Sequence, residues 1–343
     1  MFHHPSFDDH ERVLHATDAA SGLKAIIAIH NTVRGPALGG CRVWTYDDDD
    51  AALTDALRLS RGMSYKSAMA DLPLGGGKSV MIVPERGAAT PAMFEALGRA
   101  IEDLSGKYIV AEDVGSSPRD LAFVKRHTRH VTGLAPEDGG VGDPSPTTAY
   151  GCFIGVAATA RAVGFPSLEG VHVALQGLGN VGYGLAAHLA RAGARLTVAD
   201  IAAERVRQAE AEWGAASVPV DEIATVAADI FSPNALGAGL NADTIPRLQV
   251  RAVAGGANNQ LATPADDDAL RMRGILYAPD YVINAGGVIK MAGEYYRWDD
   301  AEVARRVEGI ADRLGEIFTE ADRTGRPTGE VADRLAEARF GRG

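Results

Sequence analysis

The chain has 343 residues, 46% of them hydrophobic and 23% charged, and a formal net charge of -11. That length suits two domains of ordinary size, each with a substantial core. The acidic balance argues against a nucleic-acid partner, which needs a basic face, and no apolar run is long enough to span a membrane.

The N-terminus, Met1-Phe-His-His-Pro-Ser-Phe, lacks the basic and apolar regions of a secretory signal. Together with two well-separated cysteines, Cys41 and Cys152, this leads to the expectation of a cytoplasmic protein without a disulfide scaffold or a metal centre. Strand-like runs follow at 24–31, 39–44 and 79–83, with helical patterns at 51–63 and 91–104. Thr90 caps the second helix and Pro91 opens it. A strand at 108–111 delivers Glu112 and Asp113 to a loop. The acidic runs 47–50 and 266–268 read as helix N-terminal charges in solvent. His127 and His130 read as lying on a solvated helix face.

A Gly/Pro-rich stretch at 139–146 marks the best domain boundary. Helices at 147–163, 181–192 and 203–213 then alternate with strands at 171–175 and 195–199, and short apolar stretches follow near 229–231, 252–254 and 275–277. Such alternation indicates βαβ units and a mostly parallel sheet. The expected fold is therefore α/β in two domains. An N-terminal α/β domain covers 1–145, a Rossmann-type domain covers 146–300, and helices at 301–343 close the chain, with packing back on the first domain left open.

Gly177-Leu-Gly179-Asn-Val-Gly182 fits G-x-G-x-x-G between an apolar strand and an apolar helix. Glycines there permit the tight turn, the approach of a pyrophosphate and close helix–strand packing, while the helix N-terminus offers free N–H groups. Asp200 ends the next strand, where a carboxylate accepts ribose hydroxyls and favours NAD over NADP. A helix-capping aspartate is the alternative, and Arg205 and Arg207 leave NADP open.

Lys66 lies at a helix end, and Lys78 follows Gly75-Gly76-Gly77. A P-loop is set aside, because Leu72 stands where that motif needs glycine and a strand follows instead of a helix. Most lysines are solvated surface charges, but three glycines in a row make sense where a substrate lies against backbone. A lysine base needs a depressed pKa, which burial and a neighbouring cation supply; two lysines in one site do this to each other. Asp113 is either an ordinary turn residue or a partner in that chemistry.

The segments GPALGGCRVW (35–44), RGMSYKSAMADLPLGGGKSV (61–80), AEDVG (111–115), GDPSPTTAYG (142–151), GLGNVG (177–182), AGGANNQL (254–261) and YAPDYVINAGGVI (277–289) span most of the chain. In this order they resemble the leucine/phenylalanine/valine branch of the amino-acid dehydrogenases, related more distantly to glutamate dehydrogenase. The resemblance implies a homo-oligomer with its substrate between two domains, and NAD-dependent deamination of an amino acid to a 2-oxo acid and ammonium. It implies that Lys66 binds the substrate carboxylate, that Lys78 is the general base acting through water, and that Asp113 passes protons to and from nitrogen. It further implies cofactor contacts from Thr148, Gly177, Gly179, Asn180, Val181, Gly182, Asp200, Ile201, Pro233, Asn234, Ala257 and Asn258, with Asn259 near the substrate.

Glutamate-specific relatives carry a lysine where this chain has Leu38, so glutamate is an improbable substrate. By resemblance, Leu38, Gly39, Gly40, Met63, Ala111, Val288 and Met291 form an apolar pocket; plain core packing is the alternative. A branched-chain aliphatic amino acid leads and an aromatic one follows, since a methylene is worth only about 1–3 kcal/mol. The segment 290–298 departs from the familiar pattern at one pocket wall. A catalytically silent NAD-binding regulator is the reading from another class, and a histidine-dependent 2-hydroxy-acid dehydrogenase a third.

Overall fold

Side-chain alternation organises the first sheet. The computed structural model describes residues 2–342. Strands β1 (Arg12–Asp18), β2 (Leu23–Asn31), β3 (Ala37–Trp44), β4 (Gly75–Ile82) and β5 (Tyr108–Glu112) pair in the order β1-β2-β4-β3-β5. β1 and β2, and β2 and β4, run antiparallel, whereas β3 runs parallel to both β4 and β5. Ala25, Ile27 and Ile29 turn to one face with Cys41, Val43 and Met81. That face is covered by Phe94 and Leu97 of α2 (Pro91–Glu102) and Leu121 and Val124 of α3 (Pro118–Lys125). Ile26, Ala28 and Val80 turn to the other face and meet Ala52, Ala56 and Leu57 of α1 (Asp49–Met69).

Helix α1 is capped by Asp48, whose carboxylate accepts the Ala51 N–H. It lies close to β4, and a Cβ on Gly76 would stand 2.0 Å from the Ser64 nitrogen. A Cβ on Gly39 would stand 1.7 Å from the Gly77 carbonyl oxygen. The triple glycine is thus a central strand, with its first requirement set by packing against α1 and β3. β1 and α3 lie outside the expected elements. His127 and His130 both follow the end of α3, and His130 is buried, with its Nδ1 2.9 Å from the Tyr295 hydroxyl. The expected solvated helix face is corrected accordingly.

The second unit begins with α4 (Ser145–Ala162), then β6 (His172–Gln176), α5 (Asn180–Arg191), β7 (Arg195–Ala199), α6 (Ala203–Trp213) and the short β8 (Ala216–Ser217). It continues through β9 (Ile230–Pro233), β10 (Ala252–Val253), α7 (Ala265–Met272), β11 (Leu276–Tyr277) and α8 (Asp280–Ile283). All its strands run parallel in the order β11-β10-β9-β6-β7-β8. Counted from β6 this is the doubly wound order, whose direction of winding reverses between β6 and β9. Asp266 and Asp267 are buried rather than solvated: Asp266 accepts the Thr263 N–H, and Asp267 accepts the N–H of Gly329.

Helices α9 (Gly286–Tyr296), α10 (Asp300–Thr324) and α11 (Thr328–Arg339) end the fold. Residues 288–302 and 335–343 belong to the same compact unit as 1–144, and residues 303–334 belong with 145–287. The protein is a two-domain α/β structure with a Rossmann-type second domain. Among the described residues, no helix is long and apolar enough to cross a membrane.

Candidate active site

Strand register brings the reactive groups of the first unit together. Lys78 lies opposite Ala28, Arg42 lies opposite Val80, and Gly40 lies opposite Ala111, two residues before Asp113. Partners across strands share a face, so Lys78, Arg42 and Asp113 emerge on the side that α1 covers. Lys78 Nζ donates to Asp113 Oδ2 at 2.7 Å, and Arg42 Nε donates to the same oxygen at 2.9 Å. Arg42 Nη1 also donates to Asp55 Oδ2 at 2.9 Å, and the Tyr46 hydroxyl donates to that oxygen at 2.6 Å.

Lys78 is 5% exposed. Burial drives its ammonium below the ordinary lysine range, and Arg42 pushes the same way, against the pull of Asp113. Burial alone would raise the Asp113 carboxyl, but Lys78 and Arg42 outweigh it and hold Asp113 ionised. The cluster is a buried amine with a depressed pKa bonded to an ionised carboxylate. A cation acting on Lys78 in this way is Arg42, which the sequence did not single out. Its partners lie 13 and 71 residues away, so no local spacing reveals it. Strand parity across 38, 40 and 42 was the available signal.

Lys66 stands half-buried in the last turn of α1, with Met63 one turn earlier. Leu38, Gly39 and Gly40 are buried in β3 and Ala111 in β5, while Val288 and Met291 sit one turn apart on α9. The unusual 290–298 segment works as an anchor. Glu294 Oε1 accepts the Gly133 and Leu134 N–H groups at 3.1 and 3.4 Å, and its Oε2 accepts the Val141 N–H at 3.1 Å. Thr132 Oγ1 donates to the Met291 carbonyl at 2.9 Å, and the Tyr296 hydroxyl to the Pro73 carbonyl at 2.8 Å. Glu294→Ala is expected to cost about 2 kcal/mol, because charge-assisted bonds are lost and amides are left unpaired. Urea unfolding checks this, and an unchanged midpoint would remove Glu294 as the anchor.

In the second unit, the loop after β6 fits a dinucleotide. Gly177 adopts φ +92°, and a Cβ on Gly182 would stand 2.0 Å from the Gly177 carbonyl oxygen. A Cβ on Gly179 would meet no described atom within 4 Å, and no side chain caps α5 there. Tight packing at two glycines and open space at the helix N-terminus are what a pyrophosphate requires. Asn180 is exposed and Val181 half-buried in the first turn of α5, and Thr148 lies in the first turn of α4.

Asp200 follows β7. Its carboxylate accepts the Leu178 N–H from the glycine loop and the Ala202 N–H, the latter at 2.7 Å. It therefore braces the loop as well as standing where ribose hydroxyls would be read. Ile201 beside it is 93% exposed. Pro233 ends β9, and Asn234 Oδ1 accepts the Gly256 N–H at 2.7 Å, joining the strand end to the loop that carries Ala257. Asn258 Oδ1 accepts from Asn284 Nδ2 at 2.8 Å. Asn258 and Asn259 are exposed, and Asn259 holds φ +51°. Asparagine adopts that left-handed conformation more readily than most residues.

Residues 10–130 match the family described as Glu/Leu/Phe/Val dehydrogenase, dimerisation domain. Residues 139–203 and 198–331 match Glutamate/Leucine/Phenylalanine/Valine dehydrogenase. Leucine dehydrogenase of Geobacillus stearothermophilus is 49% identical over 341 residues, covering 99% of this chain and 93% of the relative. Valine dehydrogenase of Streptomyces virginiae is 43% identical, covering 98% and 95%. The crystal structure of L-tryptophan dehydrogenase from Nostoc punctiforme aligns with TM-score 0.88 at 41% identity, covering 97% of this chain and 96% of that one.

Proposed function

The chain belongs to the Glu/Leu/Phe/Val dehydrogenase family, and on that premise we propose that it deaminates branched-chain L-amino acids, leucine foremost, with NAD. It is an amino-acid dehydrogenase acting on a CH–NH2 group with a nicotinamide dinucleotide. The observation that carries the reading is the buried Lys78 ammonium bonded to Asp113 at 2.7 Å. Leucine is supported by the 49% identical leucine dehydrogenase and by Leu38, a buried apolar residue that offers no countercharge to an acidic side chain. NAD is supported by Asp200, whose carboxylate would repel a 2′-phosphate. The match to a dimerisation domain supports a homo-oligomer. Two buried cysteines suit a reducing cytoplasm.

In this mechanism Lys66 fixes the substrate carboxylate as an ion pair. A nicotinamide dinucleotide, held by the glycine loop after β6 and by Asp200, would supply the acceptor for hydride from the α-carbon. Asp113 takes a proton from the substrate ammonium beforehand, so that nitrogen can share its lone pair with the α-carbon. Lys78, in its neutral form, removes a proton from water as that water attacks the substrate iminium carbon. Asp113 then returns its proton to nitrogen; as the carbonyl forms the C–N bond breaks, the hydroxyl proton departs with ammonia as ammonium, and Lys78 sheds its proton to solvent. Lys78 within β4 and Asp113 just past the end of β5 are braced by ion pairs, which limits the reorganisation each proton transfer needs.

A substrate panel tests the reading. Formation of reduced dinucleotide is followed with leucine, valine, isoleucine, phenylalanine, tryptophan and glutamate, using NAD and NADP side by side. Leucine with NAD is expected to give the highest kcat/KM and glutamate the lowest. An aromatic amino acid ahead of leucine would favour the second reading, which the likeness to L-tryptophan dehydrogenase supports. No turnover with any apolar amino acid would sink the proposal.

A further inference from the structure

Asp113 carries two cations on one oxygen, and only one of them is assigned a chemical step. The second, Arg42, is also tied to Asp55, whose Oδ2 accepts the Tyr46 hydroxyl as well. We propose that Arg42 is a positioning residue of the reaction: by bridging Asp113 to Asp55 it fixes the carboxylate and leaves Lys78 free to give up its proton. The inference rests on Lys78 and Asp113 being the proton-transfer pair proposed above.

A lone buried lysine–carboxylate pair tends to lock as ammonium and carboxylate, because each charge stabilises the other where solvent is scarce. A locked ammonium is no base. Arg42 donates to the same Oδ2 that Lys78 uses, so that oxygen has less charge to offer the ammonium. Guanidinium suits the task because it stays charged while it bridges two carboxylates with separate N–H groups. Its burial works against its charge, yet Asp113 and Asp55 more than compensate.

Other ionisable groups surround the pair. The Cys41 thiol, pushed up to about 12 by burial, stays neutral. Burial and Asp55 keep the Tyr46 hydroxyl protonated. Burial, with Asp143 and Asp113, pushes the half-buried Glu112 carboxyl upward. Asp120 lies farther out on α3, with its carboxylate accepting the Ser117 hydroxyl at 2.7 Å. Beside Lys78, Arg42 is a positive charge that both bonds Asp113 and lowers its carboxyl.

Two charge-neutralising variants predict opposite displacements of the ascending limb of the kcat–pH profile for deamination. Arg42→Gln removes the competing cation, so the limb is expected to move alkaline by on the order of one pH unit. At a fixed pH below the limb that is a roughly tenfold lower neutral fraction of Lys78, and a roughly tenfold lower kcat. Asp55→Asn keeps an acceptor for Arg42 but removes its counter-charge, so the limb is expected to move acid. Arg42→Lys should restore most of the parent position. A purely structural role would lower kcat or Tm without moving the limb in two directions.

Unmoved limbs, or two shifts of the same sign, overturn the role of Arg42. If Arg42→Gln fails to fold, the acid shift of Asp55→Asn decides alone. Absence of turnover in the parent enzyme would instead strike the proposed deamination itself, and the two failures are read from different samples.

Discussion

Lys78→Ala is expected to lower kcat by about three orders of magnitude, the range that a positioned proton-transfer group contributes. The size of the loss follows from the role proposed for Lys78, which is buried and contacts Asp113 directly. The fold should survive. Removing one member of a buried ion pair usually strands the other, yet Asp113 retains Arg42 at 2.9 Å, so the carboxylate keeps a charged donor. Dinucleotide affinity should be unchanged, because the glycine loop and Asp200 lie in the second unit and share no residue with the Lys78 cluster. Steady-state turnover, Tm and a fluorescence titration with the dinucleotide separate these effects. Turnover above a tenth of the parent would take Lys78 out of the proton-transfer step.

Elements with strong periodicity were legible in the sequence. The alternation in 24–31 and the regular sequence of strands and helices from 147 to 213 match β2, α4, β6, α5, β7 and α6 within a few residues. Their signals are local. The triple glycine was legible as a place of close approach but not as a strand, because the atoms that demand it belong to residues 31, 64 and 108. β1 was missed for a related reason. As an edge strand with one neighbour it tolerates His15, Thr17 and Asp18, and the apolar alternation that marks an inner strand is weak.

Lys78 and Asp113 could be singled out because each sits beside conspicuous glycines. Arg42 and Glu294 could not, since each acts through partners remote in sequence, and Glu294 accepts backbone amides that carry no residue signature at all. The two buried aspartates of α7 show the same limit. An acidic helix N-terminus reads as solvated until the donors of Thr263 and Gly329 are known to reach it.

Asp113→Asn should reduce kcat by about two to four orders of magnitude while leaving the shape of the site intact, because an amide cannot accept and return the substrate proton. Its stability signature is more telling. In the parent, Lys78 and Arg42 hold the Asp113 carboxyl below its unfolded value, so the ion pairs stabilise the fold above that value and the benefit is lost as pH falls through the folded one. With asparagine in place, burial and Arg42 act on Lys78 unopposed, and its folded pKa drops further below the unfolded one.

The unfolded chain then binds a proton that the folded chain lacks, so the variant's stability rises with pH until the unfolded lysine also deprotonates. Subtracting variant from parent leaves a deficit that is largest between about pH 4 and the point where Lys78 loses its proton in the folded variant, and that shrinks from there to the point where it does so in the folded parent. Urea midpoints at acid, neutral and alkaline pH trace that window. A deficit that ignores pH would mean that Asp113 merely fills space, and the charge-coupled pair would have to be given up.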